Sequence, residues 1–353
     1  MEDPVPAHVT APQVVLPAHK VTTDEILEDI RTRHHDHPRL PVILRAIGNC
    51  GVQTRHFTRP LDSPTVAGEA DVHERTAAAF QDSLVMATEA ATHAITAAGL
   101  TPDQVDVIVT SHATGWAVPN LDVHLVHALG LRPTTRRIPM TTLACAGGVQ
   151  SLIRAADQIA ARPDTVVLVV VTETLSTSYN HADTTVPSMI YKALFADSAA
   201  ATVVTSQPIG PGLRIDDTFE YWLPDSLDRY QGRLDATGMH FDSDRRAPAA
   251  AGQAVPAVLD WIGGHTMLDW AVIHPGSPGI IHDVSTAVGL DDIDAHHSYT
   301  SLADNGNLGG AAVLDVLART HTTPPHDGAQ GLMVAFGPGF TTAAVRGTWT
   351  TCP

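Results

Sequence analysis

Cysteine is scarce in this 353-residue chain: Cys50, Cys145 and Cys352 stand far apart, with no CxxC pair among them. That spacing argues against a disulfide framework and a zinc–thiolate site, and it leaves room for one reactive thiol. Aromatic residues make up only 5%, and no apolar run approaches the length of a bilayer-spanning helix. Met1 to Thr10 lacks the basic start and apolar stretch of a secretory signal, so a cytoplasmic chain is expected. Positive charge is short as well: 21 Lys and Arg face 38 Asp and Glu, a formal net charge of -17. A nucleic-acid backbone demands a basic face, so such a partner is not expected, although a few arginines can still grip a small anion. The 20 histidines include the pairs His34-His35 and His296-His297. Neither pair has Cys or carboxylate companions at ligand spacing, so they read as surface residues, and no metal or cofactor is expected.

What is present is a hydrophobic content of 44%, enough for a sizeable core, arranged as alternating strands and helices. Thr76 to Ala98 reads as an Ala-rich helix, followed by the buried strand Val105 to Thr110 and a short helix ending near Gly130. The stretch Thr165 to Val171 (TVVLVVV) is a continuous β-branched run, the mark of a central strand covered on both faces. Ala199 to Thr205 is a further strand. The second half repeats the outline. A helix over Ala254 to Ile262 precedes strand Trp270 to His274, and helices over Ile280 to Val288 and Ala311 to Arg319 follow. Strands Gly331 to Phe336 and Phe340 to Trp349 close the chain. The pattern predicts an α/β fold built from two similar halves, residues 1–206 and 207–353, with the Pro/Gly-rich stretch Gln207 to Gly212 as the seam.

Three residues have settings suited to chemistry. Cys145 in TTLACAGGVQS follows a short strand and precedes an amphipathic helix opened by Gly147 and Gly148. The positive end of that helix would lower the thiol pKa, and adjacent backbone N–H groups could form an oxyanion hole. The alternative is a buried cysteine packed as a small hydrophobe. His274 ends the strand DWAVIHPGS, at the carboxyl edge where α/β proteins build sites; alternatively it is a satisfied core histidine. Asn307 lies in the Gly-rich turn DNGNLGGAA, as a positioned amide or as a turn or cap residue. Together they suit acyl transfer from a thioester to Cys145, followed by carbon–carbon bond formation. Decarboxylation of a malonyl thioester would supply the carbanion, and His274 and Asn307 would hold the enolate oxygen.

The chain resembles the chalcone synthase-like enzymes, the type III polyketide synthases, most closely their bacterial members. The resemblance covers nearly the whole length: HPRLPVILRAIGNCGVQTRHFTRP, VTSHATGWAVPNLDVHLVHALGLRP, TTLACAGGVQSLIRAAD, ALFADSAAATVV, LPDSLDRYQGRLDATGMHF, AVIHPGSPGIIHDV, LADNGNLGGAAVLDVL and GLMVAFGPGFTTAAV. It implies a five-layered αβαβα thiolase fold, a homodimer, and Cys145, His274 and Asn307 as the triad. It also implies that Phe241 is a gatekeeper ring beside the nucleophile. The second gatekeeper falls near Leu213, so that ring is expected to be missing. Gly232 and Gly309 would set cavity volume, Ser178 would line the pocket, and Val118 falls where relatives place a residue that reaches into the partner. A CoA tunnel would carry basic residues at its mouth, with Arg45 and Arg55 as candidates unless both are merely solvated. Ala144, Ser277, Ala113 and the triplet Ala196-Asp197-Ser198 depart from the family pattern. The implied activity is loading of an acyl starter from CoA, extension with malonyl-CoA and release of a cyclised product. The alternatives are a ketoacyl-carrier-protein synthase III-like enzyme making one condensation, and a catalytically silent thiolase-fold partner.

Overall fold

The β-branched run forms the strand Val167–Thr174, which continues three residues past the end of the apolar stretch. It pairs in parallel with Val107–His112, which pairs in parallel with Arg136–Thr141 on its other edge. Asp197–Thr205 lies antiparallel on the opposite side. In the second half, Trp270–Ile273 runs parallel to Gln330–Gly337, followed antiparallel by Thr341–Thr350 and Gly212–Trp222. The short strand Ala7–Val9 pairs with both Asp197–Thr205 and Gly212–Trp222 and joins the halves into one ten-stranded sheet. This is a computed structural model that describes residues 5–263 and 267–351; Cys352 lies outside them.

Alternating side chains along each strand feed two different cores, as the period of two requires. Val107, Val109 and Val169 face inward to a core shared with Val149, Leu152 and Ile153 of helix Gly147–Ala161 and with Val313, Leu314 and Leu317 of helix Ala312–Thr320. Met333 and Val345 of the second half close that core from the other side. Ile108, Leu168 and Val170 face outward onto helix Val72–Ala97, whose Ala87, Ala90, Ala91 and Ala94 let it lie close to the sheet. Ile273, Leu332 and Val334 face helices Ala250–Ile262 and Pro278–Ala287. The layers therefore run helix, sheet, helix, sheet, helix, which is the αβαβα order of the thiolase fold. No helix of the described residues is long and apolar enough to cross a membrane.

Helix boundaries differ from expectation where capping decides them. The helix expected from Thr76 starts at Val72, because the Asp71 side chain accepts from the Glu74 N–H at 2.9 Å. Two helices, Thr23–Arg33 and Leu40–Gly48, and the hairpin Tyr230–Asp235 with Gly238–Ser243 have no counterpart in the strand–helix pattern read from sequence.

Candidate active site

Cys145 sits in a tight turn, Ala144–Ala146, that runs directly into helix Gly147–Ala161. Reaching that turn from the preceding strand demands a left-handed residue, and Ala144 supplies it at φ 47. This explains why a glycine suits the position: an alanine there costs about 1–2 kcal/mol. Across the site, the Asn307 Oδ1 accepts the Gly309 N–H at 2.9 Å, which turns Nδ2 toward the Cys145 sulfur, 4.0 Å away. The backbone of Asn307 is fixed by its N–H to Leu194 O and by its O to Ala196 N–H. His274 follows strand Trp270–Ile273, anchored by its N–H to Val334 O at 2.9 Å. Gly276 lies against the ring: a Cβ there would touch His274 Nε2 at 3.6 Å and press on Ile280 Cδ1 at 3.2 Å.

Cys145, His274 and Asn307 line one cavity of about 400 Å³. Its charge state differs from the expectation of an acidified thiol. Burial, reinforced by the nearby Glu173 carboxyl, pushes the Cys145 thiol up to about 12, against the pull of the Asn307 amide. Burial also holds the His274 imidazole down at about 4. The resting site therefore holds a neutral thiol and, on the same cavity, a neutral imidazole that is free to accept a proton. The expected oxyanion hole is narrowed to the Cys145 N–H, which faces its own sulfur. The Ala146 N–H is spent on Leu143 O and the Gly147 N–H on Ala144 O, so the following N–H groups are not free for a substrate. The Asn307 Nδ2 is the side-chain donor that faces the sulfur.

The pocket residues divide. Phe241 lines the catalytic cavity and also borders a second cavity of about 620 Å³. Gly309 lines the catalytic cavity at φ +58, and a Cβ there would meet Glu173 Cγ at 2.8 Å. Its small size thus protects the Glu173 position as well as cavity volume. Gly232, opposite Phe241 in the hairpin, lines the second cavity instead. Leu213 is a correction: it is buried in the sheet between Val9 and Trp349 and lines neither of these two cavities. The second ring is present after all as Phe195, which meets Phe241 edge to face at 5.2 Å. Ser178 does not line the cavity; its hydroxyl donates to Leu175 O, and Leu175 is the wall residue. Val118 is 80% exposed on a loop and touches neither cavity of its own chain.

Arg45 is exposed on the last turn of helix Leu40–Gly48. The following turn packs on the cavity rim, since a Cβ on Gly51 would lie 2.5 Å from Pro278 Cγ, and Pro278 adjoins the lining residues Ser277 and Gly279. Arg55 is a second correction: it is fully buried and donates to Thr23 Oγ1 at 2.7 Å, so it cannot present its charge at a tunnel mouth. Glu173 escaped the sequence reading, although a lone carboxylate closing an apolar strand is the same signal that marked His274. It is fully buried in the cavity wall, with Oε2 accepting from the Ala113 N–H and Oε1 without a partner among the described residues.

A family model for the N-terminal domain of chalcone and stilbene synthases matches residues 41–208, and one for the C-terminal domain matches residues 214–347. The chain is 35% identical to 1,3,6,8-tetrahydroxynaphthalene synthase of Streptomyces coelicolor, over 98% of this chain and 93% of that protein. It is 30% identical to phloroglucinol synthase of Pseudomonas fluorescens, over 96% of this chain and 98% of that protein. Among solved structures it superposes on germicidin synthase from Streptomyces coelicolor, a type III polyketide synthase, with a TM-score of 0.92 and 34% identity, covering 98% of this chain and 100% of that one.

Proposed function

The chain belongs to the chalcone and stilbene synthase family, and on that premise we propose how its own residues run the reaction of a type III polyketide synthase. It is a decarboxylating, carbon–carbon condensing acyltransferase that releases a cyclised polyketide. Cys145 attacks the carbonyl of an acyl-CoA. A new S–C bond forms, the bond to the CoA sulfur breaks, and the thiol proton passes through His274 to the departing CoA sulfur. Malonyl-CoA then loses CO2, and the electron pair of the broken C–C bond becomes an enolate. Asn307 Nδ2 and His274 Nε2 hold the enolate oxygen, and the enolate carbon attacks the acyl–Cys145 thioester, expelling the thiolate. Arg45 meets the anionic phosphates of CoA at the rim, where a fixed cation is needed.

The observation that carries this reading is the convergence of a thiol, an imidazole and an amide, drawn from three separate chain segments, on one cavity, with the amide turned toward the sulfur. A homodimer is part of the proposal: Trp116 at 73% exposure and Val118 at 80% form an apolar loop tip that a second copy would cover. The test is intact-protein mass spectrometry after incubation with an acyl-CoA. A thioester adduct should appear on the wild type and be lost in Cys145→Ala, together with all condensation products. Persistence of the adduct and products in Cys145→Ala would sink the assignment.

A further inference from the structure

A poly-β-keto chain carries a carbonyl at every second carbon, so each extension brings another acceptor into the cavity. A buried acceptor left without a donor costs about 1–3 kcal/mol. Asn307 and His274 serve the thioester end in the reaction proposed above. Much of the remaining wall is hydrocarbon ring, from Phe195, Phe241, Phe336 and Phe340. Asp242 and Asp283 also line it, the Gln231 amide N–H is spent on Leu227 O, the Ser277 hydroxyl caps the Ile280 N–H, and the Glu173 carboxyl lies near Cys145 at the thioester end.

Two phenols add donors along the aromatic part of the wall. Tyr191 lies on helix Val186–Leu194, and its ring stacks on Phe195, one turn further along, at 4.9 Å and 4°. Phe195 is held in turn by the edge of Phe241. Tyr230 opens the hairpin, opposite Ser243 in the strand register, and its ring packs on Phe340 at 5.9 Å. Both line the cavity that contains Cys145. Both lie close enough to feel a charge on the Cys145 sulfur, and each is pushed up by burial, Tyr230 to about 12, so both keep their protons. The ring contacts fix each plane and so place each phenol oxygen in advance of substrate, the Tyr191 oxygen also meeting the Ser243 hydroxyl.

We propose that Tyr191 and Tyr230 are specificity-determining residues whose hydroxyls donate to β-carbonyls of the growing chain and so set how many extensions occur before release. This rests on the polyketide synthase reading. The substrate class they select is a polar poly-β-ketone rather than a purely alkyl chain, which needs no donors.

The test keeps the rings and removes only the hydroxyls. Tyr191→Phe and Tyr230→Phe, separately and together, are given malonyl-CoA with acetyl-CoA and, in parallel, with octanoyl-CoA. Mass spectrometry reads the ratio of longer to shorter products. One neutral hydrogen bond is worth about 0.5–1.5 kcal/mol, so each single variant should lower that ratio about 2- to 12-fold. Ratios within twofold of wild type in both single variants overturn the proposal, because a wall that acts by shape alone is unchanged by Tyr→Phe. Each tyrosine stands on its own element, so if one variant does not fold, the other decides. Absence of any condensation product from the wild type would instead defeat the underlying function.

Discussion

The Asn307 amide is committed in both directions: Oδ1 accepts the Gly309 N–H at 2.9 Å, and Nδ2 faces the Cys145 sulfur at 4.0 Å. The bond to Gly309 settles which end of the amide is the donor. In Asn307→Asp one carboxylate oxygen can still accept from Gly309, so the turn is retained. The other oxygen replaces a donor with a negative charge where the enolate must form. Release of CO2 from malonyl-CoA is expected to fall by about 10²–10³, the usual loss for one oxyanion donor, while the melting temperature stays close to wild type. A decarboxylation rate within threefold of wild type would remove Asn307 from the enolate site.

Glu173 should leave a mark on pH dependence. Burial raises its carboxyl from 4.5 to about 8, so it is uncharged in neutral solution and ionises only above that. The new charge opposes the Cys145 thiolate. Alkylation of Cys145 by iodoacetamide should therefore match between wild type and Glu173→Gln below pH 7, with the variant pulling ahead above pH 8. Stability follows the same sign. The folded state holds this proton more tightly than the unfolded one, so the contribution is complete below pH 4.5 and is lost as pH rises through 8. Within that window it falls by up to about 1.4 kcal/mol per pH unit. Melting curves at pH 6 and pH 9 should converge in Glu173→Gln; an unchanged gap would refute the assignment.

Phe195 and Leu213 should separate cavity from core. Leu213→Ala empties a packed site in the sheet and is expected to cost about 2–5 kcal/mol, with no change in the product spectrum of the folded protein. Phe195→Leu breaks the stack with Tyr191 and the edge contact with Phe241, so the product spectrum should change at a smaller cost in stability. Thermal melts paired with product mass spectra check both, and a product change from Leu213→Ala would reverse the assignment.

The layered fold was legible because strands covered on both faces must be apolar throughout, and Val167–Thr174 could be little else. Cys145, His274 and Asn307 were legible because each ends a strand or opens a Gly-rich turn. The rest of the site was harder to read for physical reasons. Phe195 is the residue that ends a helix, and nothing in its local pattern tells a cavity wall from a core ring. Arg55 looks like any exposed arginine in a polar stretch, and only the packing around it shows full burial. The raised Cys145 thiol comes first from burial and then from the Glu173 charge, and neither is encoded in local sequence. Ala144 was noticed as a departure from glycine, but the cost of that departure, an alanine at φ 47, shows only once the turn is seen.

The strand Ala7–Val9 has a consequence for how the molecule is made. It leaves the ribosome about 200 residues before its partners, yet pairs with Val204 and Thr205 on one edge and with Leu213 to Ile215 on the other. The first half can close only when residue 205 has emerged. Once closed, it offers the other edge of Ala7–Val9 as a ready template for the next strand to be translated. This short strand thus sets the order of assembly, and the second half begins its sheet on a surface the first half has already built.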